Sequence, residues 1–246
     1  MGIQTTLTIT DEQKSLLMTL YQRLLEKNSF KNICTFCCQW GKNYPFEEKS
    51  GFLFVGKAVN GWVTSDTDVF ELFNDSNPNR IFARKDQMEW VHNLYGNKHG
   101  YNTRKSAFWR LIKMISERYY PDDWYSNVAW SNLYKIAPYN GGNPNVKLQT
   151  FQREYCIEIL NKEIEIFNPK YVVFLTSGWE DPFIKKLNGF DKMMEVGKTQ
   201  WGKYQTKMID INGTYFIVTH HPQGKKELTH RNVIIDLIQK TNEYKS

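Results

Sequence analysis

Residues 52–55 read Phe-Leu-Phe-Val and are followed by Gly56. Four apolar residues in succession leave no polar side chain to face water on either side. Such a run fits a strand buried on both faces, and the glycine marks an end where the backbone needs freedom. A strand of this kind sits in a sheet covered by helices above and below, which restricts the chain to α/β architectures. Similar runs recur at 171–175 (Tyr-Val-Val-Phe-Leu) and 215–219 (Tyr-Phe-Ile-Val-Thr).

Between these runs the apolar period becomes that of a helix. Leu16, Leu17, Leu20, Leu24 and Leu25 predict an N-terminal helix over 10–28, with Thr10 as N-cap before Asp11 and Glu12. Phe108, Leu111, Ile112 and Ile115 predict a helix over 103–119 that stops before Pro121. Phe151, Tyr155, Ile159, Ile164 and Phe167 predict another over 148–167, ahead of an Asn168-Pro169 turn. Residues 128–136 predict a strand containing Asn132, and 208–211 a strand joined to 215–219 by Asn212-Gly213. Helices are predicted over 181–187 and 229–240. The stretch 74–101, rich in Asn, Asp and Gly without a clean period, reads as a long insert. This order predicts a three-layer α/β/α sandwich with a central mostly parallel sheet, one domain over 1–246.

The net charge of +6 suits an anionic partner such as nucleic acid but does not establish one. No segment approaches the ~20 consecutive apolar residues of a membrane helix, and the start of the chain has no apolar signal stretch. Four cysteines in 246 residues do not form a secreted disulfide framework. The expectation is a soluble, cytoplasmic protein without membrane contact.

In a parallel sheet, ligands bind beyond the carboxyl ends of the strands. Three predicted strands carry unusual residues there: Gly56-Lys57-Ala58-Val59-Asn60-Gly61-Trp62 after the first, Asn132 within the second, and His220-His221-Pro222-Gln223-Gly224 after the last. An amide to read a base edge, an imidazole for a leaving group and an aromatic ring for stacking are what chemistry on an extruded base requires. Each residue also has a plainer reading, as a local hydrogen-bonding asparagine, a core tryptophan and a structural His pair.

From residue 52 to the C-terminus the order of motifs resembles the uracil-DNA glycosylase superfamily. Phe-Leu-Phe-Val-Gly-Lys-Ala at 52–58 resembles its first motif, where a strand ends in glycine before residues that position the attacking water. Ser131-Asn132-Leu133-Tyr134-Lys135 resembles the strand whose asparagine reads uracil. Asn168-Pro169 and the strand after it resemble the entry that follows, and Thr219-His220-His221-Pro222 resembles the second catalytic motif.

The resemblance implies a DNA glycosylase-like protein that flips a damaged or deaminated base of the uracil class and hydrolyses its N-glycosidic bond. It implies that His221 stabilises the departing base and Asn60 orients water. Asn132, Gly56 and either Trp62 or Phe70 would bind the base, and Lys225 and Lys226 would contact the DNA backbone. Leu228 would be a wedge into the duplex. DNA is the expected partner of a monomer, with neither cofactor nor metal.

The sequence also departs from the family pattern, with Lys57 in place of an acid, Val59 in place of a proline and Gln223 in place of a serine. With the usual water-positioning carboxylate absent, a binding module of the same fold, reading a base or nucleotide without cleaving it, is the alternative. A protein–protein surface is a third reading, suggested by Trp90, Tyr95 and Tyr101 in the insert. Cys34, Cys37 and Cys156 resemble three of the four cysteines of the family's iron–sulfur branch, while the fourth place falls near Ile136. A lost cluster and unrelated buried thiols both remain open.

Overall fold

The computed structural model describes residues 9–60, 67–76 and 80–243. Thr10 caps helix α1 (Asp11–Glu26) by a reciprocal box in which its hydroxyl accepts from the Gln13 N–H and its own N–H donates to the Gln13 side chain. The later helices are α2 (Val69–Leu72), α3 (Glu89–Asn93), α4 (Ala107–Ser116), α5 (Val146–Phe167), α6 (Asp181–Ile184) and α7 (Glu227–Glu243). The strands are β1 (Ile33–Thr35), β2 (Gln39–Trp40), β3 (Phe52–Gly56), β4 (Val128–Asn132), β5 (Ile136–Pro138), β6 (Tyr171–Leu175), β7 (Met194–Trp201), β8 (Tyr204–Ile211) and β9 (Thr214–Thr219). No helix among the described residues is long and apolar enough to cross a membrane.

Seven strands form a mixed sheet in the order β2-β4-β3-β6-β9-β8-β7, and β1 pairs separately with β5. The middle strands β4, β3, β6 and β9 are parallel. β2 at one edge and the β8–β7 hairpin at the other are antiparallel. The sheet is therefore more mixed than the mostly parallel one expected. The cause at one edge is turn chemistry: Asn212 and Gly213 have φ of 53° and 79°, which suits a two-residue turn that reverses the chain directly. β7 escapes sequence reading because its only buried residue is Trp201, so no apolar period marks it.

Alternate residues of the parallel strands enter two apolar clusters, as the period of two requires. Leu53, Val55, Val172, Phe174, Phe216 and Val218 pack with α1 and α5. Phe52, Phe54, Val173, Leu175 and Ile217 pack with α4 and α7. Helices thus cover both faces of the parallel strands.

One local expectation is corrected. The segment 128–136 is two strands. β4 stops at Asn132, the N–H groups of Leu133 and Tyr134 then donate to the carbonyls of Gly56 and Lys57 at 2.9 and 3.0 Å, and the chain turns to pair β5 with β1. The insert 74–101 contains α3 and is anchored in the interior: Met88 and Val91 are buried, and the Trp90 indole donates to Gln39 Oε1 at 2.8 Å. Tyr95 and Tyr101 remain exposed.

Candidate functional site at the ends of the parallel strands

Gly56 and Asn132 are register partners at the carboxyl ends of β3 and β4. Asn132 is 2% exposed. A Cβ on Gly56 would collide with its Oδ1 and would lie 3.4 Å from the Phe108 ring. Glycine is therefore required here by the approach of the amide. The Nδ2 of Asn132 is buried and has no hydrogen-bond partner among the described residues. An unmade buried donor costs about 1–3 kcal/mol, which an acceptor on a ligand would offset.

The backbone of Asn132 is fixed by a buried ion pair. Lys135 Nζ donates to the Asn132 carbonyl (2.8 Å), to Ser131 Oγ (2.7 Å) and to both Glu163 oxygens (2.7 and 2.9 Å). The Lys135 and Glu163 side chains have no solvent exposure. Sequence reading missed this pair, because Glu163 carries no motif and meets Lys135 only through the packing of α5 on the sheet. Nearby, the Lys135 N–H donates to Cys156 Sγ at 3.4 Å. Burial pushes the Cys156 thiol up to about 12 and raises that of Cys38, with the Glu163 charge adding to the second shift. All four cysteines are buried, and none forms a disulfide among the described residues. Among the described residues no group of three or more His, Cys, Asp or Glu could hold a metal ion.

β9 delivers His220 and His221 to the same end of the sheet. The His221 backbone N–H donates to Ser177 Oγ at 2.7 Å, and its ring lies nearly parallel to Phe108, with centroids 6.1 Å apart. Its Nδ1 accepts from the Gln223 N–H at 3.3 Å. With Nδ1 as acceptor, the ring proton of a neutral imidazole sits on Nε2, which is left to donate. Burial, reinforced by the charges of Lys57 and Lys225, pushes the His221 pKa down to about 4, so the imidazole is neutral at ordinary pH.

Lys57 follows Gly56 and holds its ammonium 4.9 Å over the Trp179 ring. Burial lowers its pKa, and the Glu180 charge acts in the opposite direction. Lys225 lies 4.8 Å over Tyr204 and donates to the Gln223 carbonyl at 3.3 Å. Its pKa is lowered by burial and then by Lys57 and Lys203. Glu180, 3% exposed, accepts from the Thr176 hydroxyl and from the Gly178 N–H. Burial raises its pKa. A cavity of about 240 Å³ opens beside it, lined by Ser177, Gly178, Gln205, Lys207 and His220 among others.

The structure thus brings Gly56, Asn132, Lys57, His221 and Lys225 to one end of the sheet. Asn60 is exposed, and its Oδ1 already accepts from the Gly142 N–H at 2.6 Å, so the oxygen expected to orient water instead ties the loop after β3 to the loop before α5. Phe70 is 69% exposed on α2, whose Val69 and Leu72 face the α1 side. The aromatic ring beside Gly56 and His221 is Phe108, whose place in the apolar stripe of α4 hid any other role. Trp62 lies outside the described residues. Lys226 and Leu228 are exposed on the segment that follows His221.

No protein-family model matches the chain, and no curated protein matches it.

Proposed function

We propose that the chain is a DNA glycosylase-like protein with the three-layer α/β/α arrangement of the uracil-DNA glycosylase superfamily, acting on an extruded base between Asn132, Phe108 and His221. The observation that carries this reading is the buried, unpartnered Nδ2 of Asn132, seated over a glycine at the strand end. A base edge supplies the missing acceptor, and Phe108 offers a flat apolar wall. Cleavage of the glycosidic bond leaves negative charge on the base, and the Nε2–H of neutral His221 donates to the oxygen where that charge collects. Lys225 and Lys226, with Leu228, face the DNA strand.

A base-reading module without cleavage is the second reading. It is favoured by the engaged Oδ1 of Asn60 and by Lys57 and Ala58 at the places where the family positions water.

The test is abasic-site formation on oligonucleotides carrying uracil, hypoxanthine or xanthine, with wild type, Asn132→Ala and His221→Ala. Cleavage that falls sharply in both variants supports the enzyme. DNA binding without cleavage by wild type supports the reader, and neither binding nor cleavage overturns both.

A further inference from the structure

We propose that Lys57 is the nucleophile of this site, its amine bonding to C1′ of the extruded deoxynucleotide and holding the sugar as a Schiff base, so that abasic deoxyribose in DNA is itself a ligand. The inference rests on the excision reading for the position of the sugar.

The geometry of the strand end carries it. β3 runs into the site, Gly56 makes room for Asn132, and the next residue is Lys57, whose carbonyl is held by the Tyr134 N–H at 3.0 Å. The backbone is therefore pinned where the side chain leaves it. Among the described residues Lys57 makes no ion pair, and its ammonium rests on the face of Trp179. The charge that acts on it is Glu180, which favours the ammonium, but burial biases the Glu180 carboxyl toward its neutral form. Partial burial lowers the Lys57 pKa, so the amine loses its proton more readily than an exposed lysine, one of the ways a lysine becomes a nucleophile toward carbonyl-level carbon. The other candidates of the first motif are weaker: Ala58 has no functional group, and Asn60 is engaged by Gly142.

The Nζ lone pair forms a bond to C1′ and the C1′–N bond to the base breaks. Its electron pair leaves with the base, where the Nε2–H of His221 donates to the resulting anion. One amine proton then passes to O4′ as the C1′–O4′ bond opens, giving the protonated imine and a free 4′-hydroxyl. From a preformed abasic sugar the same imine arises by addition of the amine to the C1′ aldehyde and loss of one water.

The test is borohydride trapping of the full-length protein on an oligonucleotide with a preformed abasic site, run beside base release from the uracil, hypoxanthine and xanthine oligonucleotides. Wild type is expected to give a covalent protein–DNA adduct, with the modified residue mapped by peptide mass spectrometry to Lys57. Lys57→Arg, which keeps the charge, is expected to reduce the adduct to background with an unchanged melting temperature. No adduct with wild type, or an adduct mapping to another amine, overturns the proposal. Base release without an adduct rejects Lys57 and leaves the excision reading standing. An adduct without base release keeps Lys57 and rejects excision. The mapping in wild type decides the matter even if the variant fails to fold.

Discussion

The amide of Asn132 occupies the space in which a side chain on Gly56 would begin, across two parallel strands in register. Neither residue is replaceable alone. Gly56→Ala is expected to force the amide out of its seat, costing about 1–3 kcal/mol through overpacking. Base release should fall as far as in Asn132→Ala. Thermal melts and excision assays on the folded variant check this, and unchanged excision would show that the seat of the amide is not used.

Asn132→Ala separates function from stability. The wild-type residue leaves a buried donor unmade, so its removal relieves a cost that partly offsets the lost packing. Stability is expected to change by less than about 1 kcal/mol, while base release or base binding falls by about 100-fold. Denaturant midpoints and activity measured on one preparation give both numbers.

His221 and His230 are held neutral, with pKa values pushed down to about 4 and about 3, in each case chiefly by burial. The unfolded chain protonates its histidines near the ordinary value of about 6.5. Between those limits the unfolded state binds more protons, so the contribution of both residues is complete above about 6.5 and is lost as pH falls through the folded values. Urea midpoints from pH 8 to 4 are expected to drop on the acid side, and less steeply in His221→Gln. Base release should show no histidine inflection at pH 6.5.

Breaking the buried pair under Asn132 is expected to be severe. Glu163→Gln leaves the Lys135 ammonium without a counter-charge in a fully buried site, at a cost of about 3–5 kcal/mol. Replacing both, Lys135→Met with Glu163→Leu, should recover most of that stability. It should not restore full activity, because the donor to the Asn132 carbonyl is gone. Melting temperatures of the single and double variants decide it.

Lys225→Ala and Lys226→Ala are expected to weaken DNA binding about equally for every sequence. Each phosphate contact removed should lower the slope of log affinity against log salt by about 1. Binding titrations at several salt concentrations measure this, and an unchanged slope would remove these lysines from the DNA interface.

Local chemistry made much of the architecture legible. The all-apolar runs at β3, β6 and β9, the capping box at Thr10, the Asn212-Gly213 turn and the positive-φ Asn168 that ends α5 before Pro169 are each set by residues close in sequence. The same locality marked Gly56, Asn132 and His221, because an unusual residue at a strand end needs no neighbour to be noticed. Other features required distant segments to meet. The edges of the sheet run antiparallel because of pairing partners, and β7 has hardly any buried face to announce it. Lys135 finds Glu163, 28 residues away, only when α5 packs on the sheet. Phe108 reads as one more apolar position of α4 until folding sets its ring beside Gly56 and His221. Asn60 loses its free oxygen to Gly142, 82 residues on. Period, caps and turns are short-range and belong to the sequence, whereas the identity of each side chain's neighbours is settled by long-range packing, and that is where the chemistry of this site was decided.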